Sequence, residues 1–256
     1  MTDGPLKVWR EREGRLRRVR LNRAKANVID ADMIAALDDV FSDINATPDA
    51  NAVLLDHDGP HFSFGASVEE HLPAKCADML KGLHTLIKKM LACPIPLLIS
   101  VKGQCLGGGL EIAMTGHMIF AAKEAMLGQP EIKLAVFAPA ASCILPRLIA
   151  RQHAEDLLYS GHSISGVRAA EIGLAVSADD DPELTALAYF DKNLANASAS
   201  SLAYAVEAAH GTFRDQVCAD LDRVENLYLN DLMKTHDAVE GLLAFVEKRP
   251  AKWEHR

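Results

Sequence analysis

Two carboxylates, Glu111 and Glu131, stand in stretches that are otherwise apolar or glycine-rich. Glu111 closes the run Gly103-Gln104-Cys105-Leu106-Gly107-Gly108-Gly109-Leu110-Glu111, and Glu131 lies in Gly128-Gln129-Pro130-Glu131-Ile132. Two carboxylates that share an apolar pocket push their pKa values apart, so that one holds a proton while the other accepts one. Adding water across a double bond requires that division of roles. Each acid alone also has a plainer reading. Glu111 near a helix N-terminus is favoured by the helix dipole, and Glu131 reads as a solvated loop acid. The three consecutive glycines allow close backbone approach and offer free amides at a helix start. Such amides suit a phosphate or a developing oxyanion, or they mark only a tight turn with close helix packing. A P-loop requires Lys and then Ser or Thr where Leu110 and Glu111 stand, which disfavours a triphosphate. The loop Phe62-Ser63-Phe64-Gly65-Ala66-Ser67-Val68-Glu69 is either an ordinary strand-to-helix connection or the source of a second oxyanion donor.

The elements that must position these residues follow from periodicity. Leu6 to Leu21 predicts two short strands around the turn signal Glu13-Gly14. Asp30 caps a helix with apolar positions Ile34, Leu37, Phe41 and Ile44, which Pro48 closes. Residues 52–55 predict a buried strand, Cys76 to Leu91 a helix ended by Pro94, and Ile95 to Val101 a second buried strand. A helix from Gly108 to Thr115 and a third strand from Met118 to Ala121 complete a β-loop-α-β-turn-α-β order, the grammar of a sheet with crossover helices. From Pro182 onward the pattern is purely helical, with Leu221, Val224, Leu227, Tyr228 and Leu232 on one helix and Val239, Leu242, Leu243 and Val246 on another. We therefore place a boundary near 180, with residues 1–180 as an α/β core and 181–256 as a helical region.

Other chemistries find little support. His57 and His61 span Asp58-Gly59-Pro60, no His-Glu-x-x-His occurs, and no metal site is expected. Ser163 and Ser165 do not form a Gly-x-Ser-x-Gly elbow, and Ser165 reads as a helix cap. The five widely spaced cysteines lack a Cys-x-x-Cys and read as reduced thiols. The 256 residues carry 27 Lys and Arg against 35 Asp and Glu, a net charge of −8, with 5% aromatics. An acidic chain poor in aromatics argues against nucleic-acid binding. No apolar run is long enough to span a bilayer, and the first residues lack a secretory signal, so a cytoplasmic protein without membrane contact is expected. Residues 1–25 stand apart, with nine basic side chains against three acids. They form either a solvated hairpin face or a docking surface for a phosphorylated ligand.

Taken in order, Gly65-Ala66, Leu106-Gly107-Gly108-Gly109-Leu110-Glu111 and Gln129-Pro130-Glu131 resemble the crotonase (enoyl-CoA hydratase/isomerase) superfamily. The resemblance extends to Leu21-Asn22-Arg23-Ala24-Lys25-Ala26-Asn27 near the start and to residues 240–249 near the end. It implies an α/β fold, a spiral of ββα units with a helical C-terminal trimerisation region, assembled as a homo-trimer or a dimer of trimers. It implies a CoA thioester substrate, with CoA as part of the substrate and no separate cofactor. The thioester oxygen would sit between the amides of Ala66 and Gly108, and Glu111 and Glu131 would be the catalytic acids. Arg23, Lys25 and Ala26 would receive the CoA nucleotide, and Gly65, Ser67, Val68, Gly107, Phe137, Pro139 and Ala140 would complete the substrate site.

Within the family, Phe62 to His71, Gly128 to Ile132 and Val136 to Cys143 resemble members that hydrate a cyclic conjugated dienoyl-CoA. That implies conversion of cyclohexa-1,5-diene-1-carbonyl-CoA to 6-hydroxycyclohex-1-ene-1-carbonyl-CoA, in anaerobic benzoyl-CoA degradation. Ser67 stands where ordinary enoyl-CoA hydratases often carry Asp, and Phe137-Ala138-Pro139-Ala140-Ala141 replaces their glycine-rich loop. The competing expectations are a straight-chain enoyl-CoA hydratase or isomerase and a catalytically silent CoA-binding scaffold.

Overall fold

The computed structural model describes residues 4–23 and 25–256; Ala24, inside the Leu21 to Asn27 stretch, lies outside them. The chain opens with a hairpin, β1 (Leu6–Glu11) and β2 (Leu16–Leu21), paired antiparallel with Leu6 opposite Leu21. Its turn places Arg12, Glu13 and Gly14 at φ of 54°, 58° and 87°. Helix α1 (Ala31–Ala46) follows, capped as expected by the Asp30 carboxylate, which accepts the Met33 amide at 2.9 Å. Strand β3 (Ala52–His57), helix α2 (Cys76–Leu91), strand β4 (Leu97–Val101), strand β5 (Gln104–Leu106), helix α3 (Gly108–Ala113) and strand β6 (Met118–Ala122) come next. The second half holds β7 (Met126–Gly128), α4 (Pro139–Leu148), α5 (Arg151–Ser160), β8 (Ser163–Ser165), α6 (Gly166–Glu171), β9 (Ser177–Asp179), α7 (Pro182–Asn193), α8 (Ala199–Asn230) and α9 (His236–Val246).

The large sheet runs β1-β2-β3-β4-β6-β9, parallel from β2 onward. Its inner strands read as continuous apolar runs because both faces are covered. Successive side chains alternate between those faces. Val53, Leu55, Leu97 and Ile99 join α1 and α2 in the main core, whereas Leu54, Leu98 and Phe120 meet Ala186 and Phe190 of α7. A small sheet, β5-β7-β8, supports the opposite end of the glycine run. Its three-residue strands are too short to register in hydrophobic periodicity, and the sequence reading lacks them. Pro139, which reads as an interruption of an apolar stretch, instead begins α4, where a first-turn proline loses no hydrogen bond. The helix expected to reach Thr115 ends at Ala113, and the Thr115 hydroxyl bonds back to the Ile112 carbonyl at 2.7 Å.

The basic N-terminal segment is held by the chain's own acids. Arg18 and Asp56, each 2% exposed, pair inside the fold. Arg20 binds Asp56 through Nε at 2.6 Å and Glu183 at 2.7 Å, while Arg18 also reaches Glu11 at 3.0 Å. Both guanidiniums lie over the Trp9 ring, 4.9 and 5.2 Å from its centroid. Lys7, Arg10, Arg12, Arg15, Arg17 and Arg23 likewise have carboxylate partners. Among the described residues, carboxylate partners are found for eight of the nine basic side chains of the segment, all but Lys25. No helix of the described residues is long and apolar enough to cross a membrane.

Candidate active site

The glycine run turns sharply between β5 and α3. Gly107 has φ of 50°, a left-handed value suited to glycine, and a Cβ there would collide with the Glu131 carboxylate. Gly108 follows as the first residue of α3, so its amide has no partner within the helix. The loop from 62 to 67 approaches from the other side. Buried Ser63 organises it, its hydroxyl donating to the Asn27 carbonyl at 2.8 Å and accepting the Gly65 amide at 3.0 Å. Gly65, at φ of 101°, leads into a parallel bridge between Ala66 and Ile29, in which the Ile29 amide donates to the Gly65 carbonyl at 3.0 Å and the Ser67 amide donates to the Ile29 carbonyl at 3.3 Å. The Ala66 amide donates to no acceptor among the described residues. A Cβ on Gly108 would lie 3.2 Å from the Ala66 nitrogen, so the two loops are in close contact at these residues.

Beside them opens a cavity of about 420 Å³. Gly65, Ala66, Val68, Gly107, Gly108, Glu111, Glu131, Phe137 and Pro139, all predicted as site residues, line it together. Ser67 and Ala140 do not. Ala140 lies in the first turn of α4, behind Glu111. There the Ala140 and Ala141 amides point at the Glu111 carboxylate, with Ala141 N–H to Oε1 at 2.9 Å. Arg23, Lys25 and Ala26 also lie away from the cavity. Arg23 pairs with Asp30 and Asp32, Lys25 is exposed, and the Ala26 carbonyl accepts the Phe64 amide at 2.9 Å. Phe64 itself lines the cavity, so Ala26 is one hydrogen bond removed from it.

Sequence reasoning missed His71, Lys133 and the walls supplied by Leu80, Leu83, Leu134, Val136, Leu242 and Phe245. His71 and Val68 share a single 3₁₀ turn, Val68–His71, whose three-residue repeat stacks them on one side. That spacing was the available signal. The α2 and α9 contributions come from tertiary packing and leave no local mark. Tyr228 of α8, packed edge-on against Phe137 at 5.2 Å, is also buried, and its hydroxyl has no partner among the described residues.

Electrostatically the two acids are matched. Glu111 is 2% exposed, and burial pushes its pKa up to about 7, opposed by the two α4 amides. Glu131 is pushed up to about 8, by burial and by the nearby Glu111 charge. Its Oε2 has no hydrogen-bond partner among the described residues. Neither acid has a cation beside it in the way that Asp56 has Arg18 and Arg20. Both acids are thus pushed upward, and Glu111 differs from Glu131 in having two helix amides that favour its anion. The described residues contain no group of three or more His, Cys, Asp or Glu side chains able to hold a metal ion. Cys76, Cys93, Cys105 and Cys143 are buried as free thiols, and burial raises the pKa of each.

Free adjacent amides, an apolar cavity and two acids, one buried and one half-buried, thus meet in one place. The chain belongs to the enoyl-CoA hydratase/isomerase family, which it matches over residues 11–256. It is 56% identical over 252 residues to the cyclohexa-1,5-dienecarbonyl-CoA hydratase of Thauera aromatica, covering 98% of each chain. It is 31% identical over 245 residues to a probable enoyl-CoA hydratase of Mycobacterium leprae, covering 93% of this chain and 94% of that one. Its α/β fold is crotonase-like. An enoyl-CoA hydratase/isomerase from Mycobacterium paratuberculosis superimposes with a TM-score of 0.84 at 23% identity, over 94% of this chain and 99% of that one.

Proposed function

We propose that this protein adds water to cyclohexa-1,5-diene-1-carbonyl-CoA, giving 6-hydroxycyclohex-1-ene-1-carbonyl-CoA, as a hydro-lyase of anaerobic benzoyl-CoA degradation. The pairing of Glu111 and Glu131 beside the free Ala66 and Gly108 amides carries the hydration chemistry. The cyclic substrate rests on the 56% identity to the Thauera enzyme over nearly the whole chain.

In this reading the thioester oxygen accepts hydrogen bonds from the Ala66 and Gly108 amides, which hold the negative charge as it develops. One such donor is worth about 3 kcal/mol of barrier. Glu111, the better anion, takes a proton from water while the water oxygen bonds to the ring carbon. Glu131 delivers its proton to the carbon that closes the enolate. One H and one OH are added, and the proton gained by Glu111 replaces the one lost by Glu131. Phe137, Pro139 and Val68 pack the ring, while the Gly65 and Gly107 turns keep the two amides together. The CoA chain leaves past Ala26 toward Lys25. CoA is part of the substrate, and the reaction uses no separate cofactor. Residues 181–256 form the subunit contact of a homo-trimer or dimer of trimers; Tyr204, 79% exposed on the first turns of α8, supports this. The site's place is the cytoplasm.

Steady-state turnover of cyclohexa-1,5-diene-1-carbonyl-CoA beside crotonyl-CoA, with product mass, tests the reading. A product heavier by one water from the cyclic diene, and little from crotonyl-CoA, is the expected result. Preference for crotonyl-CoA removes the cyclic assignment, and turnover of neither removes the hydratase reading.

A further inference from the structure

We propose that His71 is a specificity-determining residue, accepting a hydrogen bond from the hydroxyl group that hydration places on the ring. This rests on the hydratase reading above and adds to it. His71 lines the cavity one 3₁₀ turn beyond Val68. Its Nδ1 lies 2.8 Å from the Ser67 carbonyl oxygen, which also accepts the Glu70 amide at 3.1 Å. A carbonyl oxygen only accepts, so Nδ1 carries the hydrogen and Nε2 carries the lone pair. Burial lowers the His71 pKa, which keeps the ring neutral and that lone pair available.

Of the other polar side chains of the cavity, Glu131 becomes an anion on delivering its proton but faces the ring carbon it has protonated, not the one that carries the hydroxyl, and the rest are poorly suited to this task. Lys133 only donates. Glu111 already uses Oε1 for the Ala141 amide, and after hydration it holds the proton taken from water. Phe64, Leu80, Leu83, Phe137, Leu242 and Phe245 surround the remainder with apolar surface. A hydroxyl formed there, without an acceptor, is costly. A neutral imidazole nitrogen fixed by its own turn supplies the acceptor. The same ring before hydration has no hydroxyl to offer and gains nothing from it. Ser67 thus enters the site through its carbonyl, without touching the cavity.

The test compares two esters on active enzyme. One is 6-hydroxycyclohex-1-ene-1-carbonyl-CoA, read as KM in the dehydration direction. The other is cyclohex-1-ene-1-carbonyl-CoA, the same ring without the hydroxyl, read as a competitive Ki. His71→Leu is expected to raise the first constant about tenfold or more and to move the second by less than about twofold. His71→Gln, whose amide oxygen reaches the place of Nε2, is expected to recover most of the loss. Equal weakening of both esters, or no weakening of the hydroxylated one, overturns the role of His71. Wild-type turnover of the cyclic diene is measured in parallel. Its absence removes the hydratase reading together with this inference, whereas its presence beside an unselective His71→Leu removes the inference alone.

Discussion

The molecule buries charge in two places and treats it in opposite ways. On the inner strands β2 and β3 of the large sheet, Asp56 is enclosed with Arg18 and Arg20, and every carboxylate oxygen has a cation. In the cavity, Glu111 and Glu131 are enclosed with each other, and both pKa values rise. A compensated buried charge fixes geometry. An uncompensated acid stays poised near neutrality, at a cost to folding. The difference separates a structural cluster from a reactive one without reference to any motif.

The largest expected break in this contrast is Glu131→Gln. It removes the proposed proton donor and is expected to lower turnover about 10²–10⁴-fold, while binding of the CoA ester survives. Steady-state kinetics beside ester titration checks this, and unchanged turnover would end the catalytic role of Glu131. Asp56→Asn is the converse. It leaves Arg18 buried with fewer partners and is expected to cost about 3 kcal/mol of stability, read by denaturant unfolding. Turnover per folded molecule should stay within about twofold of wild type, since Asp56 does not line the cavity.

A smaller effect sharpens the comparison through pH. The folded-state pKa of Glu131 is raised, so between the unfolded pKa and the folded one the folded chain binds more protons. Stability therefore falls as pH rises through that window. Glu131→Gln is expected to raise Tm at pH 8, by about 2–4 °C for each kcal/mol relieved. The gain should vanish at low pH, where the carboxyl is protonated in both states. A gain independent of pH would contradict the assignment. The smallest effect belongs to the exposed pair Arg10–Asp49, about 42% exposed on each side. Arg10→Ala is expected to change stability by less than about 1 kcal/mol, and a larger loss in denaturant unfolding would blur the line drawn here.

The sequence made the acids and the two loops legible because their chemistry is local. Glu111 follows three glycines, Glu131 follows a proline, and Gly65-Ala66 ends a recognisable strand-to-loop passage. Long periodic helices such as α1 and α2 were legible for the same reason. What escaped depends on distant pairing. The first turn of α4 reaches Glu111 across 30 residues, an amide contact that no local pattern announces. The arginines of the hairpin find Asp49, Asp56, Glu183 and Asp191, acids that a charge count cannot assign to them. The three-residue strands of the small sheet carry too little pattern to declare themselves.

The two free amides belong to the main chain, so no codon spells them. A substitution at Ala66 leaves its N–H in place, and most changes along the cavity wall leave both donors untouched. Inheritance of this centre is the inheritance of missing side chains: a Cβ at Gly107 meets Glu131, and one at Gly108 meets Ala66. Mutation can therefore rewrite the lining of the cavity while the pair of free amides passes unaltered from ancestor to descendant.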